Sequence, residues 1–158
     1  MDKIKKIREL LESIGMPRKQ QSDICVLTIL GMGNIKKRTK WNDATNEWLR
    51  IHDIIAFANK NYNVTYAENS RETFRKQALH HFRIAAIVED NGMATNSPNY
   101  RWRLTDEFVE IIRNINRSEE PLSNFKNNHR SLIDIYASKK EMRNIDTRHQ
   151  EAWPEVEE

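Results

Sequence analysis

A mainly α fold with one short β-hairpin is what the sequence predicts, and three observations carry that prediction. Only four Gly and four Pro punctuate 158 residues, which favours long elements joined by short connections. Apolar side chains recur at steps of three and four through most of the chain, the spacing of a helix that faces a core. Only over about 87–104 does the period fall to two, on either side of the turn signal Asn91-Gly92. The apolar set makes up 38% of the chain and charged residues 31%. That is polar for a globular protein, but four Trp, five Phe and the regular spacing exclude general disorder. The length suits one compact domain, placed at 1–145, with residues 146–158 as an acidic flexible tail.

The elements follow in order. Ile4, Ile7, Leu10, Leu11 and Ile14, then Gly15 and Pro17, predict an amphipathic first helix with a glycine stop. Ile24 to Leu30 is a continuous apolar run ended by Gly31-Met32-Gly33, which predicts a buried second helix. The single cysteine, Cys25, lies in that run. One thiol can form neither an internal disulfide nor a thiolate metal cluster, so Cys25 is expected to be a buried small hydrophobe. Lys36 to Lys40 reads as a basic loop. Trp48, Leu49, Ile51, Ile54, Ile55, Phe57 and Ala58 mark a third helix that closes near Asn61.

A fourth helix begins at Asn69-Ser70-Arg71-Glu72, where Asn69 can cap and Glu72, three residues on, can complete a capping box. At about 100° per residue, Phe74, Ala78, Leu79, Phe82, Ala85 and Ala86 fall on one side; Ser70, Thr73, Lys76, Gln77 and His80 fall on the other. Ile87-Val88-Glu89 reads as a strand. Its partner is Tyr100 to Leu104, with Tyr100, Trp102 and Leu104 on one face and Arg101 and Arg103 on the other. Trp41, Trp48 and Trp102 are expected in the core. Thr105 caps the next helix, whose first turn carries Asp106 and Glu107 and whose core face is Phe108, Ile111, Ile112 and Ile115. A last helix follows Pro121, from Leu122 to Ile145.

Helix, turn, polar-faced helix, hairpin and helix, in that order, form a winged helix-turn-helix-like arrangement. In such a fold the second helix of the pair enters the major groove of duplex DNA and the wing lies along the backbone. Charge agrees with a polyanion partner. The formal net charge is +3, but the last eight residues hold four Glu and no base, so residues 1–150 carry 26 basic against 19 acidic groups.

On this geometry Thr73, Lys76, Gln77 and His80 are the candidates to read bases. Gln77 suits adenine N6/N7 and Lys76 suits guanine O6/N7. Ser70, Arg71, Arg75 and Arg83, with Arg101 and Arg103 from the wing, are the candidates to hold phosphates. The two wing arginines have no acidic neighbour in the strand that carries them.

Other chemistry finds little support. His80 and His81 are adjacent rather than spaced along one helix face, and no HxxxH or HxxE occurs, so no metal site is expected. His52-Asp53 and Asp106-Glu107 are neighbours on helices, a placement that suits capping and bridging. GxSxG, P-loop and GxGxxG patterns are absent, which leaves no expected catalytic residue and no nucleotide cofactor. No apolar run reaches eighteen residues and the N-terminus lacks a signal-peptide stretch, so a cytoplasmic protein without a membrane partner is expected.

Four stretches carry a resemblance: Leu10 to Ser22 (LLESIGMPRKQQS), Leu49 to Phe57 (LRIHDIIAF), Tyr66 to Phe82 (YAENSRETFRKQALHHF) and Thr95 to Asn99 (TNSPN). Together they resemble the N-terminal domain of BsuBI/PstI-type type II restriction endonucleases, over about Ile7 to Ile145. The resemblance implies a target-recognition domain that precedes a magnesium-dependent catalytic domain of the PD-(D/E)xK kind, acting on the palindrome CTGCAG. It implies a nuclease domain or subunit as a partner beside double-stranded DNA, and the symmetry of a palindromic target suggests a homodimer, two copies acting together.

No Asp or Glu here has a Lys two residues later, so the metal-binding (D/E)xK element is absent. The segment Arg148 to Glu158 does not resemble the family's continuation. This chain is therefore expected to recognise rather than cut and to need no cofactor itself, magnesium serving only the catalytic part. Two other readings use the same surface. One is a stand-alone winged-helix transcription regulator, which needs a dimer on half-sites spaced by a helical turn. The other is a protein-interaction module that docks an acidic partner on its basic face, or packs its N-terminal helices on the nuclease half.

Overall fold

The structure is a computed structural model that describes residues 2–143. Its helices are α1 (Lys3–Ser13), α2 (Asp23–Met32), α3 (Ile51–Asn61), α4 (71–84), α5 (Asp106–Arg113), α6 (Glu120–Asn128) and α7 (132–143). Strands β1 (Val88–Asp90) and β2 (Trp102–Leu104) pair antiparallel between α4 and α5. The Asp2 carboxylate accepts from the Ile4 N–H at 2.9 Å and opens α1, whose stripe Ile7, Leu10 and Leu11 is buried. Every residue from Cys25 to Met32 is buried, so α2 is the central rod against which α1, α3 and α4 pack. It runs past Leu30 through Gly31, where the missing side chain lets Ile54 of α3 approach closely, and Gly33 ends it.

The third helix starts later than its apolar pattern suggests. Leu49 exchanges two backbone hydrogen bonds with Trp102, both 2.8 Å, and so adds a one-residue third rung to the hairpin. Helix α3 then begins at Ile51, with the Asp53 carboxylate accepting from the Arg50 N–H at 2.9 Å. Trp48, expected in the core, is 42% exposed and lies under the Arg103 guanidinium, 4.6 Å from the ring centre. Trp41 is half-buried beneath the Lys3 ammonium, whereas Trp102 is 1% exposed as expected.

The start of α4 also differs. Glu68–Ser70 forms a 3₁₀ turn and the helix proper begins at Arg71, with no side-chain cap from Ser70. Asn69 lies inside that 3₁₀ turn. Glu72 turns onto Arg75 instead of reaching back to the backbone, because a guanidinium one turn away satisfies both its oxygens. The middle of α4, Arg75–Leu79, is a π turn in which the His80 N–H reaches the Arg75 carbonyl. The Gln77 carbonyl in that turn accepts from the Cys25 thiol at 3.3 Å and the Gln20 amide at 3.4 Å. Cys25 is fully buried, as expected, and is also a donor to α4.

In the hairpin Val88 faces Leu104, Glu89 faces Arg103 and Asp90 faces Trp102. Thr105 accepts from the Phe108 N–H at 3.2 Å and caps α5, as its position predicts. The last helix is two helices. His129 is extended, and the Ile133 N–H donates to the Gly15 carbonyl at 3.1 Å, so the chain breaks to cross the end of α1. Ser131 packs directly on Gly15, whose φ of +79° admits no side chain without strain. The predicted helix end at Ile145 and the acidic tail 146–158 lie outside the described residues.

Candidate nucleic-acid interface

Three segments that are distant in sequence meet at one cleft. The start of α3 supplies Arg50, Ile51 and His52, and the entry to α4 supplies Glu68, Arg71, Glu72 and Arg75. The wing tip supplies 95–98, and Tyr100 supplies a buried wall. The cleft encloses about 660 Å³ and opens to solvent. The core face of α4 sets this geometry: Phe74, Ala78, Leu79 and Phe82 are fully buried, so Arg71, Lys76, Gln77 and His80 project outward.

The wing tip is exposed but held. The Asn91 amide donates to the Asn99 carbonyl at 2.7 Å, and Arg101 donates to the carbonyls of Pro98 and Tyr100 at 2.8 and 3.0 Å. Gly92, at φ +76°, makes the turn beside Asp90, whose carboxylate accepts its N–H at 2.9 Å.

Most of the expected phosphate-binding arginines have carboxylate partners. Arg75 makes a two-pronged pair with Glu72, at 2.9 and 2.8 Å, and Lys76 lies 3.8 Å from the same carboxylate. Those hydrogen bonds from Arg75 hold the Glu72 carboxyl below its usual range. Arg71 is 3.7 Å from Glu68, which also meets the His52 ring at 2.8 Å. Arg103 pairs with Glu89 at 2.8 Å and Arg83 with Asp90 at 2.5 Å; the Arg83 guanidinium also lies 5.2 Å from the Trp102 ring centre. The expectation that Arg103 lacks a compensating acid therefore fails, because the antiparallel register places an acid from the other strand opposite it. Arg101 forms no ion pair with a described carboxylate and bonds only to carbonyls.

Of the base-reading candidates, Lys76 and Gln77 are exposed on α4 and Thr73 is half-buried. His80 lies farther along, in a groove against Tyr136, Lys139 and Met142 of α7, and none of Thr73, Lys76, Gln77 and His80 lines the cleft itself. Ser70 sits in the 3₁₀ turn ahead of α4. Arg50, His52 and the wing-tip residues Thr95, Asn96 and Ser97 line the cleft but were not among the DNA contacts expected from the sequence. Among the described residues there is no group of three or more His, Cys, Asp or Glu placed to hold a metal ion. No described helix is long and apolar enough to cross a membrane.

The family model for the BsuBI/PstI restriction endonuclease HTH domain matches residues 1–141. The chain belongs to this family. Over 148 residues it is 30% identical to the type II restriction enzyme BsuBI of Bacillus subtilis, an alignment that covers 90% of this chain and 47% of that enzyme. Over 146 residues it is 23% identical to the type II restriction enzyme AplI of Arthrospira platensis, covering 89% and 45%. The solved structure of SdaI restriction endonuclease superposes with a TM-score of 0.75 at 25% identity, over 86% of this chain and 44% of that one. The chain thus spans about half the length of the relatives it matches. Three of the four stretches that resemble this family, 49–57, 66–82 and 95–99, each supply a wall of the cleft. The sequence contained that signal, but only the fold shows that the stretches adjoin.

Proposed function

We propose that this BsuBI/PstI-family HTH domain binds duplex DNA and supplies target recognition to a type II restriction endonuclease, at a palindrome such as CTGCAG. The carrying observation is the cleft itself: the start of the second helix of the pair, with Arg71 and Arg75, and the tip of the wing both line it, together with Arg50 and His52 from the start of α3. In this reading α4 enters the major groove. Lys76 and Gln77 read base edges near its middle, with Thr73 and His80 on either side of them. Ser70, Arg71, Arg83, Arg101 and Arg103 hold phosphates and fix the register. Arg75, grouped with them on helical spacing alone, is distinct because its fork is already engaged by Glu72.

Cleavage then belongs to a magnesium-dependent nuclease half on the same or another chain, and two copies act on the palindrome. Fluorescence anisotropy with a labelled CTGCAG duplex and a scrambled duplex, across a salt series, tests the reading. Preference of about tenfold or more for CTGCAG, with affinity falling as salt rises, is the expected result. Absence of duplex binding at low salt would overturn it.

A further inference from the structure

We propose that Glu72 is a positioning residue that presents Arg75 to a guanine edge, so that this pair reads one G·C base pair; the proposal rests on the DNA-recognition reading above. Arg75 gives its Nε and one Nη2 hydrogen to the two Glu72 oxygens, at 2.9 and 2.8 Å. A guanidinium has five N–H donors in one plane, so three remain, including the two at the outer end of the fork. Those two match the O6 and N7 acceptors of guanine, the commonest base-specific arginine contact.

The pair is placed to be used. Arg75 lines the cleft between α4 and the wing, its side chain 27% exposed, while Glu72 is 64% exposed at the mouth. The carboxylate restricts the rotation of a long side chain before DNA arrives, and lowers the ordering cost of a two-pronged contact. The π turn begins at Arg75, and the Cys25 and Gln20 donors on the Gln77 carbonyl hold that turn.

A carboxylate next to DNA otherwise only repels phosphate, and this separates a positioning role from a merely electrostatic one. Glu72→Gln removes one negative charge and keeps the size. If Glu72 only repels, the variant binds every duplex more tightly and the ratio between sequences is unchanged. If Glu72 positions Arg75, the variant gains affinity for scrambled DNA and its preference for the site falls by about tenfold.

The test is anisotropy of the wild-type chain, Glu72→Gln and Arg75→Lys against a CTGCAG duplex, duplexes with each G·C pair replaced by A·T, and a scrambled duplex. Arg75→Lys keeps the charge and loses the fork. It is expected to lose the penalty for replacing one G·C pair, while scrambled-DNA affinity and salt slope stay as in the wild type. Unchanged ratios in both variants overturn the inference and leave the DNA-recognition reading standing. A wild-type chain that binds duplexes without preference also overturns it, and one that binds no duplex removes the DNA-recognition reading itself. Thermal melting of each variant guards against misfolding, and a variant that melts early is replaced by Glu72→Asp, which is expected to keep the charge and misplace the fork.

Discussion

At the residue scale, the α4 side chains differ in what they can do. Gln77 is exposed and its backbone carbonyl is anchored from below, so its amide projects from a fixed turn. Gln77→Ala is expected to weaken site binding by about 1–3 kcal/mol and to leave scrambled-DNA binding nearly unchanged. Equal loss on all duplexes, measured by anisotropy, would remove Gln77 from base reading.

His81 lies one residue beyond the exposed His80 and has a structural role: its Nδ1 is 2.6 Å from the Tyr136 hydroxyl and joins α4 to α7. Burial, then the neighbouring charge of His80, hold its pKa below the usual histidine range. The unfolded chain therefore binds that proton more readily than the folded one. The stabilisation is present above about pH 6.5, the ordinary value, and is lost as pH falls through the lower folded value. Urea unfolding at pH 7.5 and pH 5 is expected to show a smaller acid-side loss for His81→Asn than for the wild-type chain.

At the element scale, the sequence disclosed what periodicity and turn chemistry govern. The stripe of α1, the buried run of α2, the Thr105 cap and the alternation of Trp102 and Leu104 all stand in the structure where the spacing places them. What it did not disclose depends on partners far away in sequence. Leu49 continues a helical pattern, yet it is drawn into the sheet by Trp102, 53 positions later. Glu72 satisfies a capping-box spacing and pairs with Arg75 instead. The break at 129–131 has no Gly or Pro to mark it, because the chain turns there to cross Gly15.

Two substitutions probe these joints. Gly15→Ala forces a side chain onto a positive φ and against Ser131, and is expected to cost about 1–3 kcal/mol of unfolding free energy. Trp102→Ala removes the largest fully buried side chain from the seam of wing and core, and is expected to cost about 3–5 kcal/mol. Chemical denaturation checks both, and a loss below about 0.5 kcal/mol in either contradicts the packing described.

At the scale of the whole molecule, cations sit on two faces with different character. On the cleft and wing, Arg71, Arg75, Arg83 and Arg103 each have a carboxylate partner. On the loop after α2, Lys36, Arg38 and Lys40 are exposed and pair with no described carboxylate. That loop packs at the other end of α3, where the Tyr62 hydroxyl donates to the Ile35 carbonyl at 2.6 Å. Net charge alone would point to the loop as the DNA contact, whereas fold order and cleft shape point to α4 and the wing. In the DNA-recognition reading, a carboxylate beside each of these four arginines weakens indiscriminate phosphate binding and leaves sequence contacts to decide affinity. Neutralising Lys36 and Arg38 together is accordingly expected to leave the preference for the site unchanged in the same salt series.

The most direct measurement is amide chemical-shift mapping of the chain titrated with a CTGCAG duplex. The account predicts that the largest shifts fall on 70–80 and on the wing, 92–103, with smaller ones at Arg50 and His52, while 36–40 stays still. Shifts concentrated on 36–40 or on α7, with α4 and the wing silent, would contradict it.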